Sequence, residues 1–322
     1  MKRLVVGMIL ATLVAMPAGC ALPHRKHLDD LTKVAAARST AASVLLAYDS
    51  ARADADSHWS DSTLAQVEGG PLLHIDAGSY LVSFRLTPDQ PIETSPLSGP
   101  GIVASPRFGS YPLWFAAELP VPAAGITRMS LFVRESTTTP WRMMYGPEIA
   151  GDATLPEFRT DDQGAAVPVS PGDADGVVMS PAQACREYAR VLQTRSSSLG
   201  REFAHDTFLQ QMRGIQDSQA KLAYARFRQS WSILPVRYAL RLDDGGVLVF
   251  ATLVRTDRYL VEPGGYLRWT GNAAAKAYLP GGVQHWARLR YYHQILMEIP
   301  PAGAGKPVVI GQYGGVVSGA GS

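Results

Sequence analysis

The stretch that decides the fold is residues 238–255, YALRLDDGGVLVFATLVR. Two apolar runs, residues 238–242 and 247–255, flank the tetrapeptide DDGG at residues 243–246. An Asp-Gly pair supplies the positive backbone angles of a tight turn, and β-branched and aromatic residues favour strands. The stretch therefore predicts an antiparallel hairpin.

Residues 285–299 form the longest candidate strand, and its two faces differ. Trp286, Arg288, Arg290 and Tyr292 fall on one face at two-residue spacing, followed by Gln294. Alternating aromatic and guanidinium groups suit stacking on a sugar ring or clamping of an anion or acidic peptide. Two other interpretations stay open. In the first, the face is simply the solvent-exposed side of a long strand. In the second, the register differs and the aromatic residues belong to the core.

Helices are predicted before these strands. The sequence SPAQ at residues 180–183 has a capping Ser, a Pro at the first helical position and a Gln at the third, which indicates a helix start. The apolar stripe that follows includes Cys185, which predicts a buried, unreactive thiol. A second short helix carries its apolar residues on one side: Phe208, Leu209, Met212 and Ile215.

The chain also resembles itself. Residues 113–116, LWFA, match residues 248–251, LVFA, and Thr63-Leu64 matches Thr207-Phe208 at a different offset. In the first copy, residues 28–56 and a segment starting at Leu64 and Val67 are predicted helices. Alternation over residues 80–86 predicts a strand, as do residues 129–134 and 141–145. The predicted fold class is α+β, with two related modules, each of helices packed on a curved antiparallel sheet. This arrangement resembles nuclear-transport-factor-2-like (NTF2-like) or cystatin-like folds.

Composition predicts where the modules begin and end. Residues 20–150 form the first module and residues 181–313 the second, joined by a linker over residues 151–180 that is rich in Asp, Pro, Gly and Ala. The Gly- and Ser-rich residues 314–322 are predicted to be a flexible tail, because they offer little to bury.

The first twenty residues have the layout of a secretory signal. Lys2 and Arg3 precede an apolar core at residues 4–16 and the exit sequence PAGC at residues 17–20. The segment resembles the signal of bacterial lipoproteins, with Pro17 where a Leu is usual. That resemblance implies removal of residues 1–19, lipid attachment at Cys20 and a cell-membrane location on the extracytoplasmic side. The alternative is an uncleaved N-terminal anchor.

The charge balance argues against nucleic-acid binding, and the cysteine content argues against disulfides. Without residues 1–19 the chain has 28 Lys and Arg against 28 Asp and Glu, so it offers no overall positive charge for nucleic acid. Residues 20–160 carry four more acids than bases, and residues 161–322 four more bases than acids. With Cys20 lipidated, Cys185 has no partner, so the fold is expected to lack disulfides.

No motif for catalysis, cofactor binding or metal binding stands out. The seven histidines lack metal-ligand spacing, and His285 and His293 lie too far apart on one strand to share an ion. There is no nucleophile motif and no phosphate-binding loop. His205-Asp206 is the best imidazole–carboxylate pair, and its position favours a helix start.

The whole pattern resembles uncharacterised actinobacterial lipoproteins with tandem modules, and the resemblance implies a fold and a location. We therefore expect a lipid-anchored extracytoplasmic binding or accessory protein, non-enzymatic, that meets the membrane through its lipid. Its further partner is an envelope protein or a small ligand. The alternative is a hydrolase or isomerase that uses a pocket in one module.

Overall fold

The computed structural model describes residues 32–90, 92, 99, 101, 103–150, 155–194, 200–270 and 273–322, and Thr32–Ser322 form one compact unit. The predicted signal and Cys20 lie outside the described residues. The helices are α1 Arg38–His58, α2 Asp61–Val67, α3 Gly70–Leu86, α4 Pro181–Thr194, α5 Thr207–Gln219 and α6 Ala273–Tyr278. The strands are β1 Lys33–Val34, β2 Val103–Ala104, β3 Arg107–Phe108, β4 Leu113–Val121, β5 Ile126–Arg134, β6 Arg142–Tyr145, β7 Glu148–Ala150, β8 Ala225–Ile233, β9 Tyr238–Arg241, β10 Val247–Val261, β11 Trp286–Ile299 and β12 Val308–Gly321.

A large antiparallel sheet runs through both halves of the chain. Its strand order is β2-β4-β5-β7-β12-β11-β10-β8, with β6 paired to β5 and β9 paired to β10. A short separate sheet joins β1 and β3. The α+β class predicted from the sequence is thus confirmed.

The predicted hairpin and the long strand are both present. β9 pairs with β10 from Tyr238 opposite Phe250 to Arg241 opposite Val247, and Gly245 in the turn has a positive φ of 91°. β10 then pairs with β11 over fourteen residue positions and with β8 over nine. β10 is therefore the central strand of its half of the sheet.

Each half of the sheet contributes one of its faces to a shared core. The ring of Trp114 on β4 lies 5.6 Å from that of Tyr238 on β9, and Tyr145 on β6 lies 5.9 Å from Phe250 on β10. These strands are not neighbours in the sheet order. The sheet must therefore fold back on itself to bring the two faces together.

A buried side chain ties the halves by hydrogen bonds as well. Gln294 on β11 accepts a bond from the backbone N–H of Gly146 at 2.9 Å and donates to the carbonyl of Met144 at 2.8 Å. The residue is fully buried. Leaving such backbone groups without a partner costs about 1–3 kcal/mol each, so Gln294 fixes the position of β6 against β11.

Helices cover the opposite face in each half. α1 and α3 pack on β4, β5 and β6 through Leu45, Leu72 and Phe115, among others. α4 and α5 pack on β10 and β11. α4 begins where the SPAQ sequence predicted, with the hydroxyl of Ser180 accepting from the N–H of Gln183 at 3.4 Å. As predicted, α5 buries Phe208, Leu209 and Met212, and Ile215 packs beside them.

Residues 80–86 are helical, and the predicted strand there was wrong. They form the last turns of α3, which starts at Gly70 and carries a Pro in its first turn. Leu72, Ile75 and Tyr80 are buried at helical spacing, whereas Phe84 is 60% exposed. The two-residue alternation at the end of the segment was accidental, and the helical period is visible only from its start.

The predicted flexible tail is also wrong, since residues 314–321 belong to β12. Main-chain hydrogen bonds to β11 hold this Gly-rich strand, and the carbonyl of Ser322 accepts from the N–H of His285 at 2.7 Å. A Cβ at Gly319 would lie 2.6 Å from the Cβ of Tyr278 on α6. The lack of a side chain at Gly319 lets α6 lie close to β12, and a larger residue there would clash with α6.

The described part of the predicted linker, residues 155–180, runs beside β9. Val169 donates its N–H to the carbonyl of Ala239 at 2.9 Å, and Arg241 donates to Val167 at the same distance. Val169 and Val177 are buried in the core under α4. The segment is thereby fastened to the edge of the hairpin.

Candidate functional site: an arginine face on the sheet

Three arginines lie directly opposite one another on adjacent strands. Arg258 on β10 is the register partner of Arg228 on β8 and of Arg288 on β11. We call these three residues the arginine row. Because neighbouring strands lie about 4.8 Å apart, the row brings three guanidinium groups onto one face within about 10 Å.

The positions on either side of the row extend the same face. Two residues after Arg258 on β10, Leu260 pairs with Arg226 on β8 and with Trp286 on β11. Two residues before Arg258, Thr256 pairs with Arg290 on β11. All five arginines are exposed, as are Leu260 at 51% and Trp286 at 42%. We call this surface the arginine face, and it comprises Arg226, Arg228, Arg258, Leu260, Trp286, Arg288 and Arg290.

The arginine face is concave. Its groove has a volume of about 460 Å³ and is bounded by the arginine row with Arg226, Leu260 and Trp286. The paired backbone of β8, β10 and β11 forms the floor of the groove, and the long side chains form its walls. A groove lined by several guanidinium groups suits an extended anion that carries more than one acidic group.

The protein itself supplies little negative charge here. Arg226 pairs with Glu262 at 2.9 Å, and the guanidinium of Arg290 lies 5.3 Å from the ring of Tyr292. In the described ranges, no carboxylate oxygen lies within 4 Å of a guanidinium nitrogen of the arginine row, so none of its three members has an ion-pair partner there. Like charges directly opposite on a sheet destabilise it, so the row carries a cost that an anionic ligand would offset.

Only some of the candidate ligand-facing residues predicted from the sequence lie on this surface. Trp286, Arg288 and Arg290 are exposed on the arginine face. Tyr292 is half-buried at its edge, where its ring meets that of His74 at 6.0 Å. Gln294, which shares the same parity, lies in the core. The alternation is therefore as predicted, but only the first half of β11 is open to solvent on this face.

Sequence reasoning missed Arg226, Arg228 and Arg258. Residues 226–228 read RFR, and an Arg-x-Arg spacing in a strand places both guanidinium groups on one side. Residues 288–290, RLR, have the same spacing. The repeated spacing was a usable signal, whereas the direct opposition of the three strands depends on a register that only the folded sheet reveals.

The other chemical candidates have structural roles. Cys185 is buried, and burial raises the pKa of its thiol to about 12, which keeps it protonated as predicted. Asp206 caps α5 by accepting from the N–H of Leu209 at 2.7 Å, which confirms the helix-start role of the His205-Asp206 pair.

A buried ionic cluster under the first helices is likewise internal. Arg52 contacts Asp56 and Glu68 at 2.8 Å and Asp76 at 2.6 Å, which joins α1, α2 and α3. Burial raises the pKa of Glu68, since an ionised carboxylate is poorly solvated there. Within the part of the chain that the structure describes, no group of three or more His, Cys, Asp and Glu is arranged to hold a metal ion.

The match to a family model decides the membership of the chain. The model is described as a domain of unknown function, DUF8094, and it matches residues 32–321. The chain belongs to the DUF8094 family. This DUF8094 chain is also 26% identical over 323 residues to the uncharacterized lipoprotein SCO2278 of Streptomyces coelicolor, with 97% of this chain and 93% of that protein covered. No solved structure matches the chain.

The relative is a lipoprotein, as the sequence led us to expect for this chain. Of the helices in the described residues, none is long and apolar enough to cross a bilayer. The family match covers the whole folded unit, so the arginine face lies within the DUF8094 domain.

Replacing the central arginine of the row tests its electrostatic cost. Arg258→Gln removes repulsion from both neighbours, so we expect the free energy of unfolding in urea to rise by about 0.2–1 kcal/mol at low salt. The gain should shrink in about 1 M salt, where charges are screened within about 3 Å. Arg142→Gln, at an exposed position on β6, is the control. A loss of stability on Arg258→Gln at low salt would show that the row is internally compensated.

Proposed function

We propose that this protein is a lipid-anchored, extracytoplasmic binding protein of the cell envelope. Two observations support the anchor: the lipoprotein-like signal ending at Cys20, and the similarity to a Streptomyces lipoprotein over nearly the full length. In this proposal a lipid on Cys20 holds the folded unit, which begins at Thr32, close to the outer side of the membrane.

The fold in this proposal arose by duplication of an NTF2-like or cystatin-like module. Support comes from the element order, because each half of the chain supplies helices first and antiparallel strands after. α1 to α3 precede β4 and β5, and α4 and α5 precede β8 to β12. The two sets of strands then share one sheet, and only the second set carries the arginine face.

The ligand we propose is an anionic saccharide that carries phosphate, sulfate or carboxylate groups. The observation that carries this proposal is the arginine row, whose three opposed guanidinium groups form no ion pair with a carboxylate of the described residues. Each guanidinium group is a planar donor fork that matches the oxygen pairs of such anions. Trp286, half-exposed at the edge of the groove, offers an apolar surface for a sugar ring.

A hydrolase or isomerase is the second candidate function. It is favoured by one observation on the opposite face of the same strands, where Arg255 forms a buried ion pair with Asp257 at 3.1 Å and lines the same cavity as His293. Such a reaction would use those groups and not the arginine face. A loss of turnover on His293→Leu, with the arginine row intact, would identify it.

The anchor is tested by replacing the lipidated residue. We expect Cys20→Ala to move the protein from the membrane fraction to the medium, because the lipid supplies the membrane affinity. Cys185→Ala is the matched control and should stay with the membrane. Intact-mass analysis of the native protein should show residues 1–19 absent and an acylated Cys20. An unmodified thiol with the leader still attached would contradict the anchor.

The ligand class is tested with dextran sulfate and neutral dextran of equal length. Wild-type protein should bind dextran sulfate and not dextran. Arg228→Gln/Arg258→Gln/Arg288→Gln should weaken binding about tenfold or more, since three charge-assisted contacts are lost. The control Arg142→Gln/Arg186→Gln/Arg201→Gln removes the same charge from exposed positions elsewhere and should bind as the wild type does.

Two further probes separate the alternatives. Trp286→Ala should weaken binding of dextran sulfate and leave binding of pyrophosphate unchanged, because only the saccharide offers a ring to stack on. Equal binding of polyglutamate would contradict a saccharide ligand. Vesicles rich in phosphatidylglycerol test a membrane surface. Equal loss of binding in both triple variants would show that the effect is one of net charge and not of the arginine row.

A further inference from the structure

Three buried carboxyl groups share one arginine under the first helices. Arg52 on α1 contacts Asp56 through Nε at 2.8 Å, and its Nη1 contacts Glu68 at 2.8 Å and Asp76 at 2.6 Å. Each of the three acids is at most 2% exposed. Glu68 directly follows α2 and Asp76 lies on α3, so these side chains join all three helices. We call Arg52, Asp56, Glu68 and Asp76 the Arg52 cluster.

Glu68 and Asp76 have only one guanidinium nitrogen between them. The Nε of Arg52 is engaged by Asp56, which leaves Nη1 as the contact for both of the other acids. Arg128 on β5 also acts on this region, and it is paired with Glu148 at 2.6 Å. An ionised carboxylate is strongly disfavoured inside a protein, where it loses its hydration, unless a cation compensates for it. A single shared nitrogen is poor compensation for two ionised carboxylates.

Tyrosine hydroxyls complete the surroundings of the cluster. Each acid accepts a hydrogen bond from one of them: Glu68 from Tyr48 at 2.8 Å, Asp56 from Tyr80 at 2.6 Å and Asp76 from Tyr313 at 2.5 Å. Because Tyr313 lies on β12, the cluster also attaches α3 to the second half of the sheet. These hydroxyls are good donors but carry no positive charge, so they do not balance neighbouring carboxylates.

The surroundings favour the neutral form of Glu68 in particular. Its Oε1 accepts from Tyr48 and Arg52, whereas its buried Oε2 has no donor among the described residues. Both oxygens of Asp76 are engaged, Oδ1 by Tyr313 and Oδ2 by Arg52. Burial first, and then the charge of Asp76, raise the pKa of Glu68 well above its usual value. A protonated Oε2 no longer needs a donor, because it is itself a donor.

We infer that the Arg52 cluster is a proton-binding site, in which Glu68 carries a proton on Oε2 and donates it to Asp76 in a hydrogen bond. Asp76 lies within reach of Glu68 and carries the charge, which Arg52 and Tyr313 stabilise. The bound proton removes the repulsion between two adjacent carboxylates and fastens the end of α2 to α3. The cluster contains no residue of the arginine face, so this inference does not depend on the function proposed above.

Folding takes up this proton, so stability depends on pH. In the unfolded chain Glu68 ionises near its ordinary pKa of about 4.5. The contribution of the bound proton to stability is therefore full below about pH 4.5, falls as the pH rises, and is lost once the pH passes the raised pKa of the folded protein. Burial also raises the pKa of Tyr48 and Tyr313, so these hydroxyls stay protonated in this range.

Urea unfolding of the full folded chain at several pH values tests the inference. Glu68→Gln keeps the size of the side chain and has an amide N–H that can donate to Asp76 at any pH. Relative to this variant, the unfolding constant of the wild type should rise about tenfold or more between about pH 5.5 and about pH 7.5. Glu157→Gln removes the same charge from an exposed position and should follow the wild type. A constant ratio between wild type and Glu68→Gln would overturn the inference.

Nuclear magnetic resonance detects the proton without any variant. The side-chain carboxyl carbon of Glu68, assigned through its bonds to the backbone, should have the chemical shift of a neutral acid at about pH 6.5, where ordinary exposed glutamates are ionised. The wild-type protein therefore decides the matter even if Glu68→Gln fails to fold. A carboxylate shift for Glu68 at this pH would overturn the inference.

Hydrogen exchange tests where the proton acts. Between about pH 5.5 and about pH 7.5, amide exchange in α1 to α3 should accelerate more in the wild type than in Glu68→Gln, because local opening releases the proton. The comparison at equal pH removes the effect of base catalysis. Exchange in α4 and α5 should respond equally in the two proteins. An equal response of α1 to α3 would contradict a proton that fastens these helices.

Discussion

The pairing of β10 with β8 and β11 is the constraint on which the arginine face depends. Side chains alternate between the two faces of a strand, so a single register assigns Arg258 to one face and Arg255 and Asp257 to the other. A shift of one residue would bury the arginine row and expose the ion pair. The apolar residues of β10, which form cores with the helices on one face and with β4 to β6 on the other, exclude that shift.

Two features of this part of the sheet work against folding. The arginine row opposes like charges, and buried nitrogen atoms of Arg255 and His293 have no hydrogen-bond partner among the described groups. The surrounding sheet compensates for these costs with well-packed cores and with Gln294, which fixes one half of the sheet against the other. Features that break local rules in an otherwise consistent fold are the places where ligands are expected.

Local signals in the sequence predicted much of the second half. The Asp-Gly turn, the SPAQ helix start and the alternation of β11 each depend on a few neighbouring residues, and the structure contains all three. α3 was misread because its last turns alternate by chance, and the end of β12 because its glycines have no side chains. Pairing with β11 and the close approach of Tyr278 stabilise that strand, and both are contacts with distant parts of the chain.

For the arginine face, too, only part could be predicted from the sequence of a single strand. Trp286, Arg288 and Arg290 were predicted to share a face from one strand alone. Arg228 and Arg258 join them only through the register of three strands, which no spacing within one strand encodes. His293 was considered as a metal ligand and set aside, and its place beside Arg255 depends on the pairing of β10 with β11. Recognising the arginine row therefore required the folded sheet.

A crystal structure of residues 32–322 grown with a sulfated disaccharide tests the central claim most directly. The account predicts electron density for the sugar in the groove of the arginine face, with acidic oxygens within about 3.2 Å of the guanidinium groups of Arg258 and of at least one neighbour in the row. Density for the ligand only elsewhere on the protein, with the arginine row paired to carboxylates of the chain itself, would contradict it.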